Sequence, residues 1–357
     1  MKNINEFLLN LKYAFRFNKP LLTARLTSAL IKSSVFKKPP LRYVDFSIDF
    51  ACNLKCKHCF ATVLRDPRRK KMSTDDYHKV AKDCMKLGTV NFSFQGGEPI
   101  MMKNLPDIIR SCQPNKNLIS VTTNGTLINE KKILELKSCG VDILTVSLDS
   151  SIAKEHDEFR RETGAFDKAI NAIKLAKQHG INVTIGTVVT NQTLYSKGLT
   201  GLIDLAKDLQ LLLYLILPVP AGEWINETDM LLSEKDLEYL YSLTSSSKFI
   251  RTDFQANLGE YGCGAVKEIL YLTPYGDVFA CPFMHISLGN IFEESIFAIR
   301  ERALKIPYFK KYEQRCLVSS HKEFINKHLS KTFNKEQLPI SFGEAFGYEI
   351  RNAKDNK

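Results

Sequence analysis

No stretch of the 357 residues holds the roughly 20 consecutive apolar side chains that a membrane-spanning helix requires. The first residues alternate polar and apolar types and lack a small-residue cleavage site, so no secretory signal peptide is read there. These two absences set the expectation of a cytoplasmic protein. Internal repeats and low-complexity runs are also missing, which excludes a collagen-like or disordered chain. Acidic residues are scarce at one end: residues 1–44 hold nine Lys or Arg and only Glu6 as an acid. That arm carries +8, and the other 313 residues carry only +3 of the total +11. A basic arm on a nearly neutral body suits an anionic membrane surface or a nucleic acid.

What remains is ordinary globular material, 44% hydrophobic and 25% charged. The length suits one catalytic domain plus a smaller one. Residues 1–42 read as a basic arm of two short amphipathic helices broken by Pro20, ending at the breaker Pro39-Pro40. Packing on the main domain and peripheral membrane contact are both open for it. From Tyr43 a strand–helix alternation begins. Strands are expected at Tyr43–Phe50, Val90–Phe94, Leu118–Thr122, Ile143–Leu148, Val183–Val189 and Leu211–Leu217. Helices are expected between them, the first capped by Ser73 with Asp75 and Asp76 in its first turn. Six such units predict an α/β core, a partial (β/α)6 TIM-type barrel over residues 43–247, working at its strand C-termini. Residues 248–335 read as a small separate α+β module. Its hairpin is expected at Ile269–Thr273 and Val278–Cys281, turned by Pro274-Tyr275-Gly276-Asp277. Further helices are expected at Ser295–Ala303 and Cys316–Lys331, then a loose tail, 336–357.

Nine cysteines in a reducing compartment do not read as disulfides. Cys84, Cys112 and Cys139 stand alone on expected helices and read as core thiols. Cys52, Cys56 and Cys59 fall within eight residues, directly after the first strand. Soft thiolates select zinc or an iron–sulfur cluster. Zinc wants a fourth ligand, and His58 is the one at hand. Three thiols instead suit a [4Fe–4S] cluster with one iron left open for a small molecule.

Cys-x3-Cys-x2-Cys followed by Phe60 resembles the radical S-adenosylmethionine (SAM) superfamily. Further strand ends fit the same pattern: Gln95-Gly96-Gly97-Glu98-Pro99, Thr122-Thr123-Asn124-Gly125, Ser147-Leu148-Asp149-Ser150, and His156-Asp157-Glu158-Phe159-Arg160 with Gly164 beyond. The resemblance covers roughly residues 43–220. It implies a catalytic [4Fe–4S] cluster on Cys52, Cys56 and Cys59, whose open iron binds SAM. One electron then yields a 5′-deoxyadenosyl radical that abstracts hydrogen from substrate. It implies SAM contacts from Phe60, Gly96, Gly97, Glu98, Thr123, Asn124, Ser147, Asp149 and Arg160, the last gripping a carboxylate. Thr190-Asn191 would line the adenosine pocket, and Glu223 stands near the last strand end.

Cys263-x12-Gly276-x4-Cys281 resembles the auxiliary-cluster module called SPASM, or its shorter form Twitch. Cys316 supplies a third thiol, but where a Twitch module has Cys-x2-Cys this chain has Cys316-x2-Ser319. The implied second [4Fe–4S] cluster therefore has three cysteines. Its fourth ligand is left open among Ser319, His321, substrate and an unplaced group. Such a cluster would relay an electron or anchor a substrate.

The expected activity is therefore oxidation or maturation of a peptide, a sugar or a lipid-linked molecule. The expected electron donor is a flavodoxin or ferredoxin, and the basic arm 1–42 fits peripheral membrane contact. The competing reading is a non-catalytic iron–sulfur electron carrier or sensor, which needs the cysteines but not Gly97, Glu98 and Arg160. A zinc-dependent nucleic-acid binder would rest on the net charge and on the run Arg65–Lys71. That run lacks interleaved aromatics, so it reads as a solvated loop and no nucleic acid is expected.

Overall fold

The computed structural model describes residues 19–36, 39–258 and 260–347. The expected first helix, around residues 4–15, lies outside them, as do residues 348–357. Pro20 starts the helix α1 (Pro20–Phe36) rather than breaking one, because the first turn has no use for its missing N–H. Then follow β1 (Tyr43–Asp49), α2 (Thr74–Lys86), β2 (Asn91–Gly96), α3 (Leu105–Ser111), β3 (Leu118–Thr123), α4 (Glu130–Ser138) and β4 (Ile143–Ser147). Next are α5 (Ala153–Arg160), α6 (Ala165–Gln178), β5 (Asn182–Val188), α7 (Lys197–Asp208), β6 (Leu212–Ile216), α8 (Glu234–Ser246) and β7 (Ile250–Arg251). Local chemistry sets these limits. Ser73 and Asp76 exchange hydrogen bonds as a capping box before α2, and Ser233 and Asp236 do the same before α8.

All six expected strands form, paired in chain order and parallel. Their inward residues, such as Phe46, Phe92, Phe94, Val121, Leu144 and Ile185, are fully buried, as a sheet covered on both faces demands. Cys84, Cys112 and Cys139 are buried core thiols, as expected.

The C-terminal region contains β8 (Ile269–Leu272), β9 (Asp277–Phe279), β10 (Ile286–Ser287), β11 (Gly289–Asn290), α9 (Ile296–Ala303), α10 (Pro307–Lys310), α11 (Lys322–Lys327) and β12 (Ile340–Ser341). It is not separate. β8 pairs parallel with β1, Tyr43 opposite Ile269 through Phe46 opposite Leu272. One open sheet of ten strands results, in the order β11-β9-β8-β1-β2-β3-β4-β5-β6-β7. The boundary expected at residue 247 is also crossed on the other side, where β7 extends the core sheet beyond β6.

Three more expectations are corrected here. Arg65–Lys71 is no free solvated loop: Arg69 pairs with Asp277 (2.7 Å) and lies over Tyr275, while Lys70 lies over Phe292. Met72 N–H also donates to Pro274 O (2.8 Å), so the run clasps the hairpin to the core. The tail expected from residue 336 packs as far as it is described: β12 pairs with β10, and Ala345 and Phe346 are buried. The helix expected over Cys316–Lys331 shortens to α11 because residues 316–321 form a tight loop around Cys316.

Of the two readings for the arm, the described part favours packing. Leu22 is buried against Val90, Leu118, Ile143 and Leu212, all at the N-terminal ends of strands. Lys19 Nζ donates to Asp142 at 2.5 Å, and Arg25 to Thr89 O at 2.5 Å. So α1 closes the sheet's N-terminal end and leaves its C-terminal end open for chemistry.

Candidate functional site

Chain direction puts the first cysteine loop at the C-terminal end of the parallel strands. β1 ends at Asp49, whose carbonyl accepts Gly97 N–H (2.7 Å), while Ala51 O accepts Glu98 N–H (2.9 Å). This approach requires glycine, since a Cβ on Gly97 would lie 1.9 Å from Ala51 O. A second glycine braces the other side of the loop. Gly222 has φ +64°, and a Cβ there would meet Cys59 O at 2.0 Å. Beside it, Glu223 N–H donates to Cys59 O (2.9 Å) and Thr62 Oγ1 donates to the Glu223 carboxylate (3.0 Å). The Gly-Gly-Glu segment after β2 and the 3-10 turn after β6 thus hold the loop between them.

N–H donors surround its sulfurs. Leu54 N–H approaches Cys52 Sγ at 3.4 Å and Asn124 Nδ2 at 3.9 Å. Arg160 Nη1 approaches Cys56 Sγ at 3.7 Å. Burial pushes the Cys52 thiol up to about 11, helped by Glu98 and the other two thiols, and it raises Cys56 against the pull of Arg160. Without a metal Cys52 and Cys56 hold their protons, so loading a cluster displaces them.

The carboxylates flank this set. Glu98 accepts from Ile100 N–H (3.0 Å), Thr123 Oγ1 (2.8 Å) and Asn124 N–H (2.8 Å), tying the end of β2 to the end of β3. Burial nevertheless raises it to about 7. Asp149, just past β4, accepts from Arg160 Nε at 2.7 Å. Burial would raise Asp149, but the Arg160 guanidinium, with His58 and His156 beside it, holds the carboxyl below its ordinary value. His156 Nδ1 accepts Asp149 N–H (3.2 Å), which keeps that ring neutral, and burial lowers its pKa to about 4. Asp149, Arg160 and Cys56 therefore form one chain of contacts.

The remaining residues sort unevenly. Gly96 lies in the same turn with φ +131°, and Ser147 ends β4 opposite Gly186 of β5. Asn191 is engaged by Asp229 O (2.7 Å), and Thr190 by Thr193. Phe60 turns toward the hairpin, edge-on to Phe283 (5.1 Å) and Tyr271 (6.4 Å). The aromatic wall beside Arg160 is made by residues the sequence reading left out of the site. His58 stacks on Phe159 at 4.6 Å, and Trp224 closes on both rings. The position of His58, one residue before the third cysteine, was the available signal.

The second thiol set gathers from three segments. Cys263 N–H donates to Glu313 O (2.7 Å), bringing it beside the Cys316 loop. Cys316 is within electrostatic reach of both Cys263 and Cys281, and burial raises its thiol. Among the described residues, no three His, Cys, Asp or Glu side chains converge as they would on a single metal ion.

Residues 47–194 match the radical SAM superfamily model, and residues 263–318 match SPASM, an iron–sulfur cluster-binding domain. An AdoMet-dependent heme synthase of Oleidesulfovibrio alaskensis is 31% identical over 156 residues, 44% of this chain and 40% of that protein. Another heme synthase, from Methanosarcina barkeri, is 24% identical over 290 residues, 73% of this chain and 82% of that one. The first of these relatives is thus matched over less than half its length. The crystal structure of Streptococcus suis SuiB bound to precursor peptide SuiA superposes with TM-score 0.60 at 17% identity, covering 83% of this chain and 72% of that one. That likeness is one of fold.

Fold, strand-end motifs and both matches define the class: residues 47–194 are a radical SAM domain. The C-terminal part of the chain is a SPASM iron–sulfur domain joined to the core through the shared sheet. A radical SAM domain implies a [4Fe–4S] cluster and SAM, and a SPASM domain implies auxiliary clusters. The residues present fit the catalytic group, with three soft thiols, N–H donors aimed at two of them and two glycine-cleared approaches around their loop.

Proposed function

We propose that this chain is a radical SAM enzyme that abstracts hydrogen from an organic substrate held between the strand C-termini and the SPASM domain. When bound, the reduced cluster and SAM together supply a 5′-deoxyadenosyl radical. Cys52, Cys56 and Cys59 would hold the cluster, and Arg160, fixed by Asp149, would set charge beside it. Glu98, Thr123 and Asn124 would form the wall toward β3, while His58, Phe159 and Trp224 would keep water from the opposite side. The observation that carries this reading over a bare electron carrier is the buried Asp149–Arg160–Cys56 chain. A carrier has no use for a guanidinium built into the loop, whereas a cosubstrate that presents a carboxylate does.

The test is anaerobic reconstitution with SAM and dithionite, followed by assay of 5′-deoxyadenosine. Formation by the native chain but not by Cys59→Ala supports the reading. No product from a fully loaded, reduced protein, with or without substrate mixtures, sinks it. Substrate panels should include heme precursors and peptides, which the names of the relatives point to, with sugars and lipid-linked molecules.

The physiological reductant is proposed to be a flavodoxin or ferredoxin. Peripheral membrane contact is proposed for the outward side of α1, where Leu21, Ile31 and Val35 are half-exposed or more in a basic segment. Co-sedimentation with anionic vesicles, lost in a Leu21→Glu, Ile31→Glu, Val35→Glu variant, supports that contact. Equal sedimentation of both proteins overturns it.

A further inference from the structure

We propose that the Ser319 hydroxyl is the fourth protein ligand of the auxiliary cluster, completing a set of three cysteines and one serine with Cys263, Cys281 and Cys316. The inference rests on the SPASM reading of residues 263–318 and assigns a ligand that this reading leaves open.

The loop after Cys316 is wound tightly on that residue. Cys316 O accepts N–H bonds from Ser319 (3.3 Å), Ser320 (2.9 Å) and His321 (2.9 Å). Ser319 therefore lies in the same tight turn as Cys316, three residues on, at the position where a second cysteine stands in a Cys-x2-Cys pair.

Its hydroxyl has no hydrogen-bond partner although the residue is only 3% exposed. A buried hydroxyl left unsatisfied costs about 1–3 kcal/mol, and such atoms are rare in native folds. Its neighbour shows the contrast, since Ser320 Oγ accepts Cys316 N–H at 3.2 Å and caps the turn. The orphaned oxygen belongs to Ser319 alone in that pair.

The competing side chains are committed. His321 Nδ1 accepts Phe324 N–H (3.2 Å) as the N-cap of α11, and its Nε2 faces Glu313 Oε2 at 3.9 Å. Glu313 is ion-paired with Lys311 at 3.1 Å, although its Oε1, like the Ser319 hydroxyl, makes no hydrogen bond. Freeing either would uncap a helix or break an ion pair. Ser319 gives up nothing.

The chemistry balances simply. An Fe–O bond replaces the Ser319 O–H bond, and the proton leaves to water, as with a thiol ligand. Oxygen is a harder donor than thiolate, so this cluster should differ in potential from one with four cysteines.

The test uses the full chain with Cys52, Cys56 and Cys59 changed to Ala, so that only the auxiliary cluster remains. After anaerobic reconstitution, iron and sulfide are counted, and the reduced protein is followed by EPR and redox titration. The proposal expects about four irons in this parent. Ser319→Cys should keep them with a shifted midpoint potential and altered g values. Ser319→Ala should either lose iron or show a spectrum that changes on adding imidazole, as an opened iron would. Ser319→Ala with the parent's spectrum, potential and imidazole response overturns the proposal. So does loss of iron from a folded Ser319→Cys protein. A parent that binds no iron overturns the SPASM reading as well, which separates the two failures.

Discussion

The two sets of three thiols are assembled in opposite ways. Cys52, Cys56 and Cys59 come from one loop of eight residues, and the fold's task there is to brace a preformed arc. It does so with the ends of β2, β3, β4 and β6. Cys263, Cys281 and Cys316 come from three segments and meet only because β8 joins the sheet and the Cys263 amide finds Glu313 O. A local site depends on close backbone approach. A dispersed site depends on topology.

The comparison is broken most completely by removing a thiol from the local set. Cys59→Ala should lose the catalytic iron and reduce 5′-deoxyadenosine to background while leaving auxiliary iron in place. Counting iron beside activity checks both halves. Next in size is Gly97→Ala. With its Cβ 1.9 Å from Ala51 O, the loop must move, and a displacement near 1 Å costs about 100-fold in turnover. At the dispersed set the glycine to compare is Gly262, with φ +132° and a Cβ that would lie 2.7 Å from Glu313 O, a milder intrusion than at Gly97.

Arg160→Met should be smaller in turnover but visible in stability. It leaves Asp149 buried without its partner, which costs about 3–5 kcal/mol and lowers the melting temperature of the apo-protein. Adding Asp149→Asn should restore much of that loss. Failure to restore it would mean that Arg160 acts through packing rather than charge.

The smallest expected effect distinguishes the regions by pH. His285, at the core of the C-terminal region, is held neutral by burial, with a pKa lowered to about 4. The unfolded chain binds its proton near pH 6.5, so between pH 6.5 and 4 the unfolded state carries more protons. Stability should therefore fall as pH drops through that window, by at most about 3 kcal/mol from this residue. His285→Gln should flatten the fall, as measured by urea unfolding of the apo-protein at pH 7 and pH 5. An unchanged difference would assign the acid sensitivity to His58 and His156, in the first region.

What was legible in the sequence follows the same division. The six strands, the cysteine loop and the residues at the strand ends were readable because each is a local pattern carried by a period or a spacing. Arg69 is different: its partners Asp277 and Tyr275 lie some 200 residues away, so a basic run looks solvated until the fold brings them together. The same holds for β8, an ordinary apolar run whose place beside β1 is a matter of register. In sequence His58 reads as a fourth zinc ligand and Phe60 as a SAM contact. Yet the backbone turn at Cys59 sends Phe60 to the hairpin and His58 to Phe159.

The neighbour of β1 is made late. A ribosome that has finished Tyr43 must add 226 more residues before it reaches Ile269, which at 5–20 residues per second takes roughly 11–45 s. Until then the nascent sheet has a bare side at Val44 and Phe46, the kind of edge onto which another chain can add a strand. The C-terminal domain thus guards the first domain against its own sister chains. A protein ended at residue 247 would keep Cys52, Cys56 and Cys59 and lose that guard.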